Sequence, residues 1–467
     1  MTRSQAKSRS LPAPPAPVRV GRYRYSRLRW RVSVAVLDFV GTLAITLWRL
    51  VKPKPRVDSP RRILLVQLDH LGDAVLTSPL IERLRAAYPN AVLDVLASAS
   101  NFEVFDADPN VRRVWRAEKS WFERRRGRWA LLSAVWSLGR SLRGSGYDLG
   151  IDVRGDVLTV LVLALAGIPR RVGWAMGGGG FLLTDVARWV PGRHEVDSRF
   201  ALLDALGVPA HRPARVVVYI ADDDRVEVAR RLGDAWLGYQ SVLPAVVSSS
   251  LTNVTGRSRG KTRTRTQSHR HQASAVDHAP TWDEPDWLHA GRFGAPAPIL
   301  AVHLGAGTTA KRWPVGHWRV LVARFLDDGW RVIVVGGPED VEMSSALEEH
   351  PNLRDWTGQL TVSQTTALLE RAELFIGADS GPSHLAASTG TPSVVLFSGT
   401  NRVAQWRPWS RRSLVLRHRV PCGPCHRKVC PLADHPCMAG LRPDRVYRAA
   451  NRWWDRLHRR ESPHAPA

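Results

Sequence analysis

The sequence predicts an α/β protein with two Rossmann-like, doubly wound domains, and three observations predict it. Short apolar runs alternate with amphipathic stretches from Arg62 onward. The same alternation starts afresh at Pro298. Between the two series, residues 237–296 are polar, basic and without periodicity. Strands alternating with helices build parallel βαβ units. Two such series joined by a linker imply two lobes and a cleft, and ligands of open α/β sheets sit beyond the carboxyl ends of the strands.

In the first series "ILLVQL" reads as a buried strand, "DAVLTSPLIERLRAAYP" as an amphipathic helix and "AVLDVLAS" as a second strand. "YDLGIDV", a helix around Leu158 to Ala166, and "RRVGW" complete a domain expected over residues 60–236. Residues 237–296 are expected to be a disordered linker insertion. The second domain is expected over 297–460. Its strands are "PILAVHLGAG", "WRVIVVGG", "ELFIGADSG" and "TPSVVLFSG", and its helices "VGHWRVLVARFLDDG", "SQTTALLERA" and "PSHLAASTG".

At 467 residues the chain has room for two domains plus tails, and an apolar fraction of 44% is enough to build their cores. Its 67 Lys and Arg against 42 Asp and Glu give a net charge of +25. Such an excess suits anionic partners, whether nucleic acid, phosphorylated sugars or an acidic membrane face, and charge alone does not choose among them. All four cysteines fall within residues 422–437, which argues against a secreted disulfide scaffold.

Nine Arg or Lys precede the first acidic residue, Asp38, and residues 1–28 read as a basic disordered tail. Residues 29–52 are apolar, flanked by arginines, and interrupted by Asp38 and Gly41. A transmembrane helix needs about 20 apolar residues and tolerates a central Asp poorly. No small-residue cleavage site follows, so a signal peptide is not expected. Two readings stay open: an amphipathic helix lying on an anionic membrane surface, or a helix packed on the protein itself.

The chemistry concentrates where strands end. Asp379, Ser380, Gly381, Pro382, Ser383 and His384 lie between a strand and a helix. Free N–H groups and the dipole at such a helix start favour an anion, and six polar or turn-forming residues exceed what an N-cap by Asp379 or Ser380 requires. "HLGAGTTAKRWP" follows another strand with small residues that let a ligand approach, plus Thr308, Thr309 and Lys311, whose ammonium suits a diphosphate. In "GGPED" Glu339, or Glu342 just beyond, would bind ribose hydroxyls or cap the next helix. In "LLVQLDHLGDAVLTSPL" the strand ends on a turn whose Asp73 either caps the helix or faces a substrate, with Asp69 and His70 nearby.

Taken together, "LLVQLDHLGDAVLTSPLIERLRAAYP", "HLGAGTTAKRWP", "VIVVGGPED" and "FIGADSGPSHLAASTGTPSVVLFSGT" resemble glycosyltransferase family 9. Its best-known members are the heptosyltransferases of the lipopolysaccharide inner core. The resemblance covers roughly residues 61–235 and 297–450. It implies a GT-B architecture, with the nucleotide-sugar on the C-terminal domain and the acceptor on the N-terminal one. It implies Asp73 as general base; Lys311, Thr308, Thr309 and Ser380 as donors to the departing diphosphate; and Asp379 at the sugar. It implies inversion of the anomeric centre without a catalytic metal or cofactor, with ADP-heptose as leading donor. The acceptor would be lipopolysaccharide or another lipid-linked envelope glycan on the cytoplasmic face of the inner membrane, and nucleic acid is not an expected partner. The basic amino-terminal segment and the linker depart from the family's compact form. A sugar-nucleotide epimerase on the same plan and a non-catalytic basic binder are the alternatives.

Cys422, Cys425, Cys430 and Cys437 are spaced C-x2-C-x4-C-x6-C, with His426 and His435 interleaved. They read either as a structural zinc site or as reduced thiols packed in a loop. The 19 tryptophans, several beside arginines, fit base stacking or a membrane interface, and "WRPW" would flank a nucleotide base.

Overall fold

The structure, a computed structural model, describes residues 28–51, 57–117, 128–209, 215–233, 236 and 297–461. The expected tail, Leu28 apart, and the expected linker lie outside the described residues. The chain forms one large unit of residues 1–228 and 298–467 and a second of 229–297. Of the second, the described part is the end of the helix Asp222–Leu232 with Gly233, Trp236 and Ala297.

The large unit holds two six-stranded sheets. The first contains β1 (Arg62–Gln67), β2 (Val92–Ser98), β3 (Arg113–Ala117), β4 (Leu149–Asp152), β5 (Arg170–Gly173) and β6 (Asp185–Val186). The second contains β7 (Ile299–His303), β8 (Arg331–Val335), β9 (Leu353–Asp355), β10 (Leu374–Ala378), β11 (Ser393–Phe397) and β12 (Ser413–Arg417). Their orders are β3-β2-β1-β4-β5-β6 and β12-β11-β10-β7-β8-β9, which are one topology used twice. Every pairing is parallel; Leu65 of β1 lies between Val95 and Ile151, and His303 of β7 lies between Gly377 and Val335.

Central parallel strands are covered on both faces, so they run apolar without alternation. This is why Ile63 to Gln67, all of β7, all of β10 and all of β11 are buried. The first lobe's core gathers Leu64, Val66, Leu96, Val162 and Leu163. The second is heavier in aromatics. Trp313 and Trp318 meet edge to face at 4.9 Å, and Trp330 packs between Phe325 and Trp454. The buried Trp313 indole donates to the Leu441 carbonyl at 2.8 Å, as a buried N–H must. Much of the tryptophan content is thus core.

The amino-terminal helix α1 (Leu28–Val51) settles one open question about its sequence. Asp38 and Gly41, the residues that interrupt its apolar run, are docking points. Asp38 is 2% exposed and accepts the Gly179 N–H at 2.7 Å. At Gly41 the Phe181 ring lies so close that a Cβ would stand 2.6 Å from it. Val34, Asp38 and Gly41 share one stripe of the helix by their spacing of four and three residues. The opposite face leaves Val36, Phe39, Val40, Leu43 and Leu47 exposed.

Candidate active site

A cleft of about 1060 Å³ opens between the lobes, lined from both sheets by the loops at the carboxyl ends of their strands. The strand order reverses between β1 and β4 in the first sheet and between β7 and β10 in the second. Loops diverge at such a reversal and leave a crevice. Asp73 follows β1, Arg154 follows β4, Lys311 follows β7 and Ser380 follows β10, and all four line the cleft.

Asp73 sits in the short helix α2 (Leu71–Val75) and is held from behind. The Arg199 guanidinium, 2% exposed at the side chain, reaches its Oδ1 at 3.3 Å and its main-chain oxygen at 3.3 Å. The same guanidinium binds Glu195 Oε2 at 2.8 Å and donates from Nε to Thr77 Oγ1 at 2.7 Å. Gln67 closes the ring by donating to the Asp73 carbonyl at 3.0 Å and to Thr77 Oγ1 at 2.7 Å. A carboxylate fixed this way keeps its orientation when an alcohol arrives. The nearby Asp69 is tied to Arg154 at 2.6 Å, and burial holds His70 below its usual pKa.

On the other lobe Lys311 Nζ lies 2.8 Å from Asp379 Oδ2 and donates to the Asp379 carbonyl at 3.1 Å. Asn401 donates to the same Oδ2 at 2.9 Å. Next to this cluster runs a chain of three side chains: Ser380 Oγ meets His303 Nδ1 at 3.1 Å, and His303 Nε2 meets Asp340 Oδ2 at 3.1 Å. Burial works to raise the Asp340 pKa, but the His303 hydrogen bond and charge, the Gly337 N–H and Arg312 outweigh it and hold the carboxyl low. His303 Nε2 donates to the ionised Asp340, and Nδ1 faces the Ser380 hydroxyl. Gly305 makes room for the carboxylate, since a Cβ there would land on it.

The lobes meet at the floor of the cleft. A Cβ at Gly72 would lie 2.8 Å from His384 Cδ2, and one at Gly381 would lie 2.7 Å from Leu71 Cδ2. Gln405 donates to Glu195 Oε1 at 2.8 Å, and His194 Nε2 pairs with the Arg407 carbonyl at 2.8 Å. Arg225 binds Glu370 at 2.9 Å, and Glu103 accepts from the Ser363 N–H at 3.1 Å. His384 is fully enclosed here, and burial lowers its pKa to about 4, so its ring is neutral at ordinary pH.

Of the residues singled out in the sequence, Asp73, Thr308, Lys311, Glu339, Asp379, Ser380, Gly381, Pro382 and His384 line the cleft. Three do not. Ser383 Oγ is spent on the Ser380 carbonyl at 2.7 Å, a local bond of the helix start. Thr309 is exposed and turns its hydroxyl to the Lys428 carbonyl at 3.2 Å. Glu342 lies in the short helix Val341–Ser344, away from the cleft lining. Ser380 Oγ lies on the cleft lining, 3.1 Å from His303 Nδ1 and 3.2 Å from the Ala378 carbonyl. In "WRPW", Trp406 lines the cleft, and Trp409 packs on His194 at 4.5 Å.

The four cysteines are free thiols that share one cavity of about 160 Å³ with His435. Among the described residues no group of three or more His, Cys, Asp or Glu is gathered to hold a metal ion. His435 Nε2 is already engaged with the Ala310 carbonyl at 3.0 Å, and Cys422 is exposed while Cys437 is buried.

Sequence reasoning missed Arg199, His303, Asn401 and the tryptophans Trp174 and Trp189, which meet edge to face at 5.3 Å in the first lobe's half of the cleft. Arg199 had one signal, the Glu195–Arg199 spacing of four on the helix Glu195–Leu206.

Known proteins share this organisation. The model of glycosyltransferase family 9 (heptosyltransferase) matches residues 255–435. In that segment the chain is similar to glycosyltransferase family 9. Lipopolysaccharide heptosyltransferase 2 of Escherichia coli K12 is 24% identical to this chain over 407 residues, 84% of this chain and 97% of the relative. Lipooligosaccharide heptosyltransferase 2 of Campylobacter jejuni is 29% identical over 159 residues, 32% of this chain and 50% of that relative. Among solved structures, E. coli ADP-heptose lps heptosyltransferase II superposes with a TM-score of 0.60 at 20% identity, over 85% of this chain and 99% of that one. A family 9 glycosyl transferase from Veillonella parvula superposes at 0.61 and 20% identity, over 85% and 97%. The shared fold is GT-B, two Rossmann-like domains facing across a cleft.

Proposed function

We propose that this chain is a family 9 glycosyltransferase that moves a sugar, heptose by preference, from a nucleoside-diphosphate sugar, ADP-heptose by preference, onto a lipopolysaccharide or other envelope glycan acceptor. The observation that carries the reading is the placement of one anchored carboxylate, Asp73, on the first lobe, opposite an ammonium and a helix start on the second. The acceptor hydroxyl attacks the anomeric carbon and gives its proton to Asp73. The bond from that carbon to the diphosphate oxygen breaks, and its electron pair leaves with the diphosphate. Lys311 and the N–H groups at the start of the helix Gly381–Thr389 meet the growing charge. One displacement from the far face inverts the centre. In this reading no cofactor takes part in the transfer, and the enzyme works at the cytoplasmic face of the inner membrane.

Asp73→Asn tests it. The variant should keep its thermal shift with ADP and lose about 10²–10⁴-fold in transfer, as removal of a general base does. Unchanged transfer would overturn the assignment. Donor turnover with no acceptor present would point to the epimerase instead.

A further inference from the structure

Helix α1 runs 24 residues and exposes a large apolar face, and the segment Arg31–Val51 has a mean hydropathy of 1.8. By length and composition alone it could cross a membrane. Its attachment argues otherwise. The contacts with the folded lobe lie along its middle, at Val34, Asp38 and Gly41, with Arg49 reaching the Leu183 carbonyl at 3.3 Å. A helix of this length spans about 36 Å, and Asp38 sits near its centre. Were α1 to cross the bilayer, the loop Gly178–Leu183 and its neighbouring strands would be drawn into hydrocarbon with their polar backbone groups.

The residues just before that loop line the cleft. Trp174, Met176 and Gly177 line the acceptor half of the cleft. Gly177 lies so close to the Gly155 carbonyl that no side chain fits, and Gly155 lines the cleft as well. So one short segment holds α1 on one side and shapes the cleft on the other.

We propose that α1 lies in the plane of an anionic bilayer, its exposed face in the acyl region, and that the Asp38–Gly179 bond keys this anchor to the acceptor end of the cleft. The cleft then opens at the membrane surface, where an acceptor carried on lipid presents its sugar. The occupant is argued from three features. The exposed face carries Val36, Leu37, Phe39, Val40, Leu43, Leu47 and Trp48. The chain before Asp38 holds nine Arg or Lys and no acid, which matches a negative surface. The interrupting acid is consumed by the protein, so no charge faces the lipid at mid-helix. Anchoring stands apart from the proposed reaction; the preference for a lipid-borne acceptor rests on it.

Flotation of the full chain with vesicles of phosphatidylglycerol and phosphatidylcholine, against phosphatidylcholine alone, tests the anchor without donor or acceptor. The wild type should float with the anionic vesicles, and Leu37→Glu with Phe39→Glu and Leu43→Glu should cut the bound fraction at least tenfold. Equal flotation of that variant, no flotation of the wild type, or a wild-type dimer that the triple change turns into a monomer would overturn the anchor. The key is read with ADP-heptose and two acceptors, a heptose-free lipopolysaccharide in vesicles and the same acceptor deacylated. Asp38→Ala should still float, lose about tenfold or more on the vesicle acceptor and keep its rate on the deacylated one; Asp38→Asn, which retains an acceptor oxygen, should recover. Equal rates of Asp38→Ala on both acceptors would overturn the key. A floating wild type that transfers to neither acceptor would instead refute the proposed reaction and leave the anchor standing.

Discussion

Gly72 of the first lobe and His384 of the second touch so closely that a Cβ on Gly72 would stand 2.8 Å from the imidazole Cδ2. The contact lies one residue from Asp73. Gly72→Ala must push α2 or the helix Gly381–Thr389 aside, since real Cβ contacts do not occur at that distance. A misplacement near 1 Å costs about 10²-fold in a positioned reaction. Steady-state kinetics should show that order of loss in kcat with the thermal midpoint nearly unchanged.

Arg199 serves two carboxylates from a buried position. Arg199→Met leaves Glu195 and Asp73 without their cation, and breaking such a buried pair costs about 3–5 kcal/mol. Denaturant unfolding should report a loss of that size. Arg199→Lys keeps the charge but not the fork, so it should fold better, lose kcat, and leave the KM for the donor unchanged.

Lys311→Met strips the cation from Asp379, whose side chain is 4% exposed, while Asn401 still donates. The expected cost is about 2 kcal/mol in stability, below the range for a wholly buried pair because Lys311 is partly solvated. Titration with ADP should show weaker binding by at least tenfold.

The Asp340 carboxylate occupies a socket made by Gly305 and Gly336. Gly305→Ala should be among the most damaging single changes in the second lobe, at about 3 kcal/mol, because backbone and a buried carboxylate cannot both yield. Asp340 has a lowered pKa in the fold, so its stabilisation is present above the unfolded value near 3.8 and fades as pH falls through the folded one. Asp340→Asn should remove that part of the acid sensitivity in unfolding curves taken below pH 4.

His384 gives a second pH effect. Burial lowers its pKa from 6.5 to about 4. The neutral ring is favoured by the fold, so its contribution is full above pH 6.5 and is lost as pH falls toward 4. Relative to His384→Gln, the wild type should lose about 3 kcal/mol across that window, measured by chemical denaturation at each pH.

Most of the architecture was legible because parallel strands covered on both faces must be apolar runs, and β1, β7, β10 and β11 are written that way. The sequence left Asp73 open between a helix cap and a cleft residue, and the structure places it on the cleft lining, three residues past the N-cap His70. Ser383 misled because a hydroxyl three residues after Ser380 satisfies the helix start as readily as a ligand, and sequence does not show which carbonyl is nearest. Arg199 was hidden by distance: its partner Asp73 is 126 residues away, and nothing local marks their meeting. Asp38 and Gly41 read as flaws in an apolar helix because the loop that needs them lies more than a hundred residues downstream.

Glu195 divides its carboxylate between Arg199 on its own lobe and Gln405 on the other. Spreading the lobes would remove the amide and leave both oxygens to compete for a guanidinium that Asp73 holds only at 3.3 Å. A loaded but gaping molecule would then keep its activated sugar beside an ill-seated base, a state that serves a stray water as badly as any alcohol. The seat of the proposed base thus depends on a contact between the lobes through one shared acid.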